Sequence, residues 1–191
     1  MSKEKLIQTN KVLKLSIQGY ELLDKKAFIL KKEIDDLKDR RLKTKESIND
    51  LLKTISEDFV LSSINMGLNN IKTLTKDIEV DNSFEMLKTS IMGIEVNIVK
   101  WQKQDTVIKG LYNHENLYKT VSNMEDLKEL LILLAMLEDS IKKLGTAFRK
   151  TRVRVNALKN IVIPRNEKLA KSLKERIEEQ DKERYFYFGV I

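Results

Sequence analysis

Residues 6–58 read LIQTNKVLKLSIQGYELLDKKAFILKKEIDDLKDRRLKTKESINDLLKTISED, and apolar side chains recur through them every seven positions. One register holds Leu6, Leu13, Tyr20, Ala27, Ile34, Arg41, Ile48 and Ile55, with Arg41 the sole exception to an apolar run. Three residues on, the second register holds Thr9, Ser16, Leu23, Leu30, Leu37, Thr44, Leu51 and Asp58, half of them apolar. A stripe kept this long on one helix stays in water unless a second helix covers it, so the pattern predicts a coiled coil.

The last third of the chain repeats the pattern. Leu127, Leu134, Ile141, Phe148, Val155, Val162, Leu169 and Arg176 form one register; Leu130, Leu137, Leu144, Thr151, Leu158, Arg165, Ser172 and Glu179 form the other. Ser122-Asn123-Met124-Glu125 has the spacing of a capping box and predicts the helix start. After Leu169 the apolar residues step by four to Leu173 and Ile177, a stutter that relaxes supercoiling. Pro164, the only proline, lies inside this helix and predicts a bend, since it removes one backbone donor and crowds the preceding turn.

Two heptad segments joined by about sixty residues fold back most simply as an antiparallel pair; a parallel homodimer is the competing arrangement. The stretch between them holds the only Trp and the only His. There Met92, Ile94, Val96 and Ile98 alternate with Gly93, Glu95, Asn97 and Val99, the period of a half-buried strand. Thr106-Val107-Ile108 follows a polar turn at 102–105 and suggests the second arm of a small hairpin, while Asn82 with Glu85 suggests a short capped helix before it. The expected fold is all-α: a long antiparallel two-helix coiled coil with a small middle head carrying a short β-hairpin. Its parts are an N-terminal coiled-coil helix over 1–60, the head over 61–120 and a C-terminal coiled-coil helix over 121–191, together one structural unit.

Composition agrees. Six Gly and one Pro in 191 residues are too few for a fold that turns every ten residues, and 34% charged with 41% hydrophobic residues suits long exposed helices. The absence of Cys leaves no disulfide framework or thiolate metal site and fits a reducing compartment. No apolar run reaches a membrane span or a signal segment, so a cytoplasmic protein without direct membrane insertion is expected.

Catalytic chemistry has little to stand on. The glycines at 19, 67, 93, 110, 145 and 189 form no phosphate loop. His114 has no second ligand at metal-binding spacing, and the adjacent carboxylates Asp35-Asp36 and Glu178-Glu179 point about 100° apart on a helix. No enzyme, cofactor or metal site is expected from these residues.

Charge says more. Between Ser140 and Asn166 stand Lys142, Lys143, Arg149, Lys150, Arg152, Arg154, Lys159 and Arg165 with no acidic residue among them. The first helix does not neutralise them, since Asp24 and Glu33 are outnumbered by Lys26, Lys31, Lys38, Arg40 and Lys45 at its flanking positions. Such an excess seeks an acidic surface. Nucleic acid is the weaker candidate, because the stretch has one aromatic, Phe148, and no binding motif; an acidic protein is the stronger. The terminal Tyr185-Phe186-Tyr187-Phe188-Gly189-Val190-Ile191 packs either on the coil or inside a partner.

The run Leu144-Gly145-Thr146-Ala147-Phe148-Arg149-Lys150-Thr151-Arg152-Val153-Arg154-Val155-Asn156-Ala157-Leu158, followed by Asn160-Ile161-Val162-Ile163-Pro164-Arg165, closely resembles the D subunit of the V-type/A-type rotary ATPases. That family reads K-T-R-R-R-V-N-A-L-E ahead of I-V-I-P-R; here Val153 replaces the middle arginine and Lys159 the glutamate. Leu13-Lys14-Leu15 through Gly19-Tyr20-Glu21-Leu22-Leu23-Asp24-Lys25-Lys26 is similar to the family's N-terminal motif, and Met92-Gly93-Ile94 to its central segment. The resemblance implies a non-catalytic central-stalk rotor subunit: an axle, binding no nucleotide, that carries torque between ATP hydrolysis or synthesis in a catalytic ring and ion transport by a membrane rotor. It implies as partners the catalytic and nucleotide-binding ring subunits, the small F subunit of the central stalk and a connector to the membrane rotor. Arg149, Lys150, Arg152, Arg154, Asn156 and Arg165 are then expected to face the ring, and Met92, Ile94, Val96 and Trp101 the other stalk subunits. The alternative reading is a free-standing coiled-coil scaffold or adaptor that uses its basic helix to recruit an acidic protein.

Overall fold

A computed structural model describes residues 2–76, 84–101 and 115–188. In chain order they form α1 (Ser2–Met66), α2 (Leu68–Thr75), the strands β1 (Phe84–Ile91) and β2 (Ile94–Trp101), α3 (Glu115–Ala157), a π-helical turn (Leu158–Val162) and α4 (Ile163–Phe188). The all-α architecture with a hairpin in the middle is thus the one the heptads predict. The chain divides into two compact units, Met1–Lys32 with Gly145–Ile191, and Glu33–Leu144.

Along α1 the heptad is kept without a slip. Thr9, Ala27, Leu30, Ile34, Leu37, Thr44, Ile48 and Ile55 are buried, and the a/d positions between them are half-buried. Thr9 and Thr44 enter this stripe because each hydroxyl donates to the carbonyl four residues back, at 2.8 and 3.0 Å. Arg41 enters it at a cost: its Nε is buried and lacks a hydrogen-bond partner among the described residues.

In the first unit, Lys3 Nζ reaches Asp181 Oδ2 at 3.1 Å and Arg152 Nη1 reaches Asp24 Oδ1 at 3.3 Å. Residue numbers rise on one helix as they fall on the other, so the pair is antiparallel and lies within one chain. Leu30 of α1 and Thr151 and Val155 of α3 are buried in this unit. Leu158 and Val162 are still half-buried, but past Val162 the expected registers fail, the half-buried Ser172 apart. Arg165, Leu169, Arg176 and Glu179 are exposed, whereas Ile163, Asn166, Ala170, Leu173 and Ile177 are half-buried, one residue later. The cause is the π-helical turn, which fits one extra residue into the helix and moves the seam on by one. The Ile163 N–H donates five residues back to the Leu158 carbonyl, and Pro164 follows as the second residue of α4, where the helix continues. The four-residue step Leu169-Leu173-Ile177 is therefore not a stutter of one seam, for Leu169 lies outside it.

In the second unit, Lys45 Nζ meets Glu138 Oε1 at 3.4 Å and Asn123 Nδ2 donates to Asp58 Oδ2 at 3.5 Å, again an antiparallel pair. Leu137, Ser140 and Leu144 of α3 are buried here. Helix α3 begins at Glu115, seven residues before the expected capping box, so Ser122 and Glu125 lie inside it. The early turns are held by packing: Leu117 is buried against Ile71 of α2, with Met66, Leu74 and Val121 around them. Gly67, at φ 80°, lets the chain turn from α1 into α2.

The hairpin also differs from expectation. β2 runs 94–101 and pairs antiparallel with the upstream β1, with Ile91 opposite Ile94 and Phe84 opposite Trp101. Met92 and Gly93, at φ 56° and 79°, are its two-residue turn and not strand positions; positive φ at both central residues is the twist-matched hairpin geometry. Glu85 is therefore a strand residue, not part of a helix cap. Asn82, His114 and the run 106–108 lie outside the described residues.

Candidate partner-binding surfaces

All six residues expected to face a ring, Arg149, Lys150, Arg152, Arg154, Asn156 and Arg165, are exposed in the first unit. The heptad explains the first five. With Thr151 and Val155 turned into the seam, the positions around them must point outward, Arg152 on one flank and Arg154 on the other. Arg165 is outward for another reason, since the π turn removes it from the seam position that the unbroken heptad assigns it.

Two of these residues are tied within the unit. Arg152 pairs with Asp24 at 3.3 Å, and Arg149 Nη2 donates to Thr146 Oγ1 at 3.5 Å. Lys150, Arg154, Lys159 and Arg165 make no ion pair with any described residue, which leaves four cations open to a partner. Exposed pairs contribute little to stability, about 0–1 kcal/mol, so the value of such a cluster lies in steering and orientation. Among them Val153, where the family motif has arginine, is exposed.

The hairpin residues are placed differently. Val96 is 2% exposed and belongs to the second unit's own core, and Trp101 is half-buried with Lys128 Nζ 4.8 Å from its ring centroid. The Val99 N–H points at Met136 Sδ, 2.9 Å away, which fixes β2 against α3. Ile94 is half-buried, and of the four only Met92, at the turn, is exposed. Apart from Met92, the open apolar surface of the hairpin lies on Phe84, Met86 and Leu87 of β1 and Ile98 of β2.

Sequence reasoning from the seam alone passes over several large exposed side chains. Ile7, Leu22 and Phe28 in the first unit are exposed, as are Leu52, Phe59, Met124 and Leu131 in the second. Their signal is an apolar residue outside the a and d registers. The last four share one heptad flank with the Lys45–Glu138 pair, which makes that flank apolar. Tyr185 and Phe186 are 81% and 77% exposed, so the first half of the aromatic run does not pack on the coil.

Among the described residues no group of three or more His, Cys, Asp or Glu is placed to hold a metal ion, and no helix is long and apolar enough to cross a membrane.

Comparison with known proteins agrees with the motif. The family described as the ATP synthase D subunit matches residues 5–190. Among individual proteins, the chain is 24% identical over 188 residues to the D subunit of the V-type ATP synthase of Thermotoga neapolitana, covering 95% of this chain and 90% of that one. It is 27% identical over 189 residues to the D subunit of the A-type ATP synthase of Pyrococcus furiosus, covering 95% and 87%. With the corresponding A-type D subunit of Thermococcus sibiricus it shares 24% identity over 186 residues, covering 95% and 87%.

Proposed function

The chain belongs to the ATP synthase D-subunit family, and on that premise we propose that it is the rotor axle in the central stalk of a V/A-type ATPase, a non-catalytic subunit peripheral to the cytoplasmic face of the membrane. Its partners in this reading are the ring of catalytic and nucleotide-binding subunits, the small F subunit of the stalk and the connector to the membrane rotor. The observation that carries the reading is a set of four outward cations, Lys150, Arg154, Lys159 and Arg165, on an antiparallel helix pair, none of them in an ion pair with a described residue.

An axle needs two properties. It must resist twist, and two helices sharing a seam of interlocked side chains do this better than one, because turning either helix about its own axis unseats the side chains of both. Its sides must also differ, so that successive ring interfaces meet different surfaces as it turns. The run 140–166 on the returning helix, which carries no acidic residue, supplies such a difference, and acidic loops of the ring are its complement.

Charge reversal tests this. Lys150→Glu with Arg154→Glu leaves the seam untouched and is expected to weaken assembly of the chain with its ring and to lower ATP-driven ion pumping. Unchanged assembly and pumping would remove the cations from the interface. A chain that ignores the ring altogether, yet captures an acidic protein, would favour the scaffold reading.

A further inference from the structure

We propose that the π-helical turn Leu158–Val162 is a phase-setting element, held by the seam and not by Pro164, and that it decides which cations of the returning helix face a partner. Three observations carry this. First, the buried positions before the turn (Leu144, Thr151, Val155) and the half-buried ones after it (Ile163, Asn166, Ala170, Leu173, Ile177) follow heptads that are out of step by one residue. Second, an unbroken α-helix would carry Arg165, Arg176 and Glu179 into the seam and turn Leu173 and Ile177 out of it. The extra residue reverses all five placements. Third, Pro164 stands just beyond the turn, as the second residue of α4, and the carbonyl of Val162 receives the Asn166 side chain at 2.9 Å. Proline has no N–H to give to the preceding turn and crowds the carbonyl four residues back, so it fits beside a widened turn without being required to make it.

The consequence concerns the exposed surface. One α-helical residue is about 100° of rotation. Were the same residues wound as an unbroken α-helix, Arg165 would turn inward, and the outward group Lys150, Arg154, Lys159 and Arg165 would lose a member. This inference stands on the seam and not on what the cations meet.

The chain has no cysteine, so single cysteines report phase without background. In the full-length chain, Arg176→Cys is expected to react with a maleimide about fivefold faster than Ile177→Cys, since one is exposed and its neighbour half-buried. The same order is expected after Pro164→Ala, because the seam keeps the π turn. It is also expected after deletion of Asn160, which closes the turn to regular α-helix while leaving Leu173 and Ile177 in the seam. A reversed order or a loss of helicity in Pro164→Ala would show that proline makes the turn. A reversed order in the Asn160 deletion would show that the seam does not set the phase. Either result overturns the proposal, and neither depends on ATPase activity.

Discussion

The outgoing helix α1 and the returning path α3–α4 solve the same problem with different regularity. α1 keeps one heptad phase from Thr9 to Ile55, tolerating hydroxyls and even Arg41 in the stripe and never inserting a residue. The returning path keeps its phase as far as Val155, then shifts by one residue at Leu158–Val162. A seam thus absorbs one wrong side chain more cheaply than a run of them. Arg41 is a single misfit whose long stem can cover apolar surface, whereas Arg165, Arg176 and Glu179 would be three misfits in two heptads.

The largest effect should come from breaking the regular seam. Leu30 is fully buried, and Leu30→Ala is expected to cost about 3 kcal/mol, read as a lower urea midpoint for loss of helicity. The misfit should behave oppositely: Arg41→Leu removes a buried donor without a partner among the described residues and is expected to raise stability by about 1–2 kcal/mol in the same measurement. A loss of stability instead would mean that Arg41 satisfies its donor on opening to water, and that α1 is less of a strict seam than its periodicity suggests.

Two substitutions four residues apart test the shift on the returning side. Leu173→Ala should cost about 1 kcal/mol, because a half-buried leucine removes less area from water. Leu169→Lys should change stability by under about 0.5 kcal/mol, since Leu169 is 47% exposed despite its place in the unbroken heptad. Equal costs would mean that the seam has not shifted. The smallest effect lies in the hairpin, where Met92 holds φ 56°. Met92→Asn suits that turn better and should stabilise the strands by about 0.5 kcal/mol, seen as slower amide exchange across β1 and β2.

How far the sequence can be read follows from the same contrast. Every a and d position of α1 is legible because one period runs its length. The placement of Leu144, Thr151 and Val155, and hence of Arg149 to Asn156, is legible for the same reason. Beyond Leu158 the rule of seven still finds apolar residues, Val162 and Leu169, so periodicity alone gives no warning that a residue has been inserted. The start of α3 is obscured because Ser122–Glu125 carries a capping pattern, yet Leu117 and Val121 around it are spaced to pack on α2 and continue the helix. β1 is hidden because FEMLKTSI puts apolar and polar residues on both faces and is mostly exposed. That same mixture conceals the pairing that makes Met92-Gly93 a turn.

A rotor axle must turn inside its ring, and rotation can be watched. A reconstituted catalytic ring is fixed to a surface, a bead is attached to a cysteine placed on the second unit of this chain, and ATP is added. Stepwise rotation in one direction, slowed or lost with Lys150→Glu and Arg154→Glu, is the predicted result. A ring that hydrolyses ATP while the attached chain stays still, or that never retains the chain, would contradict it.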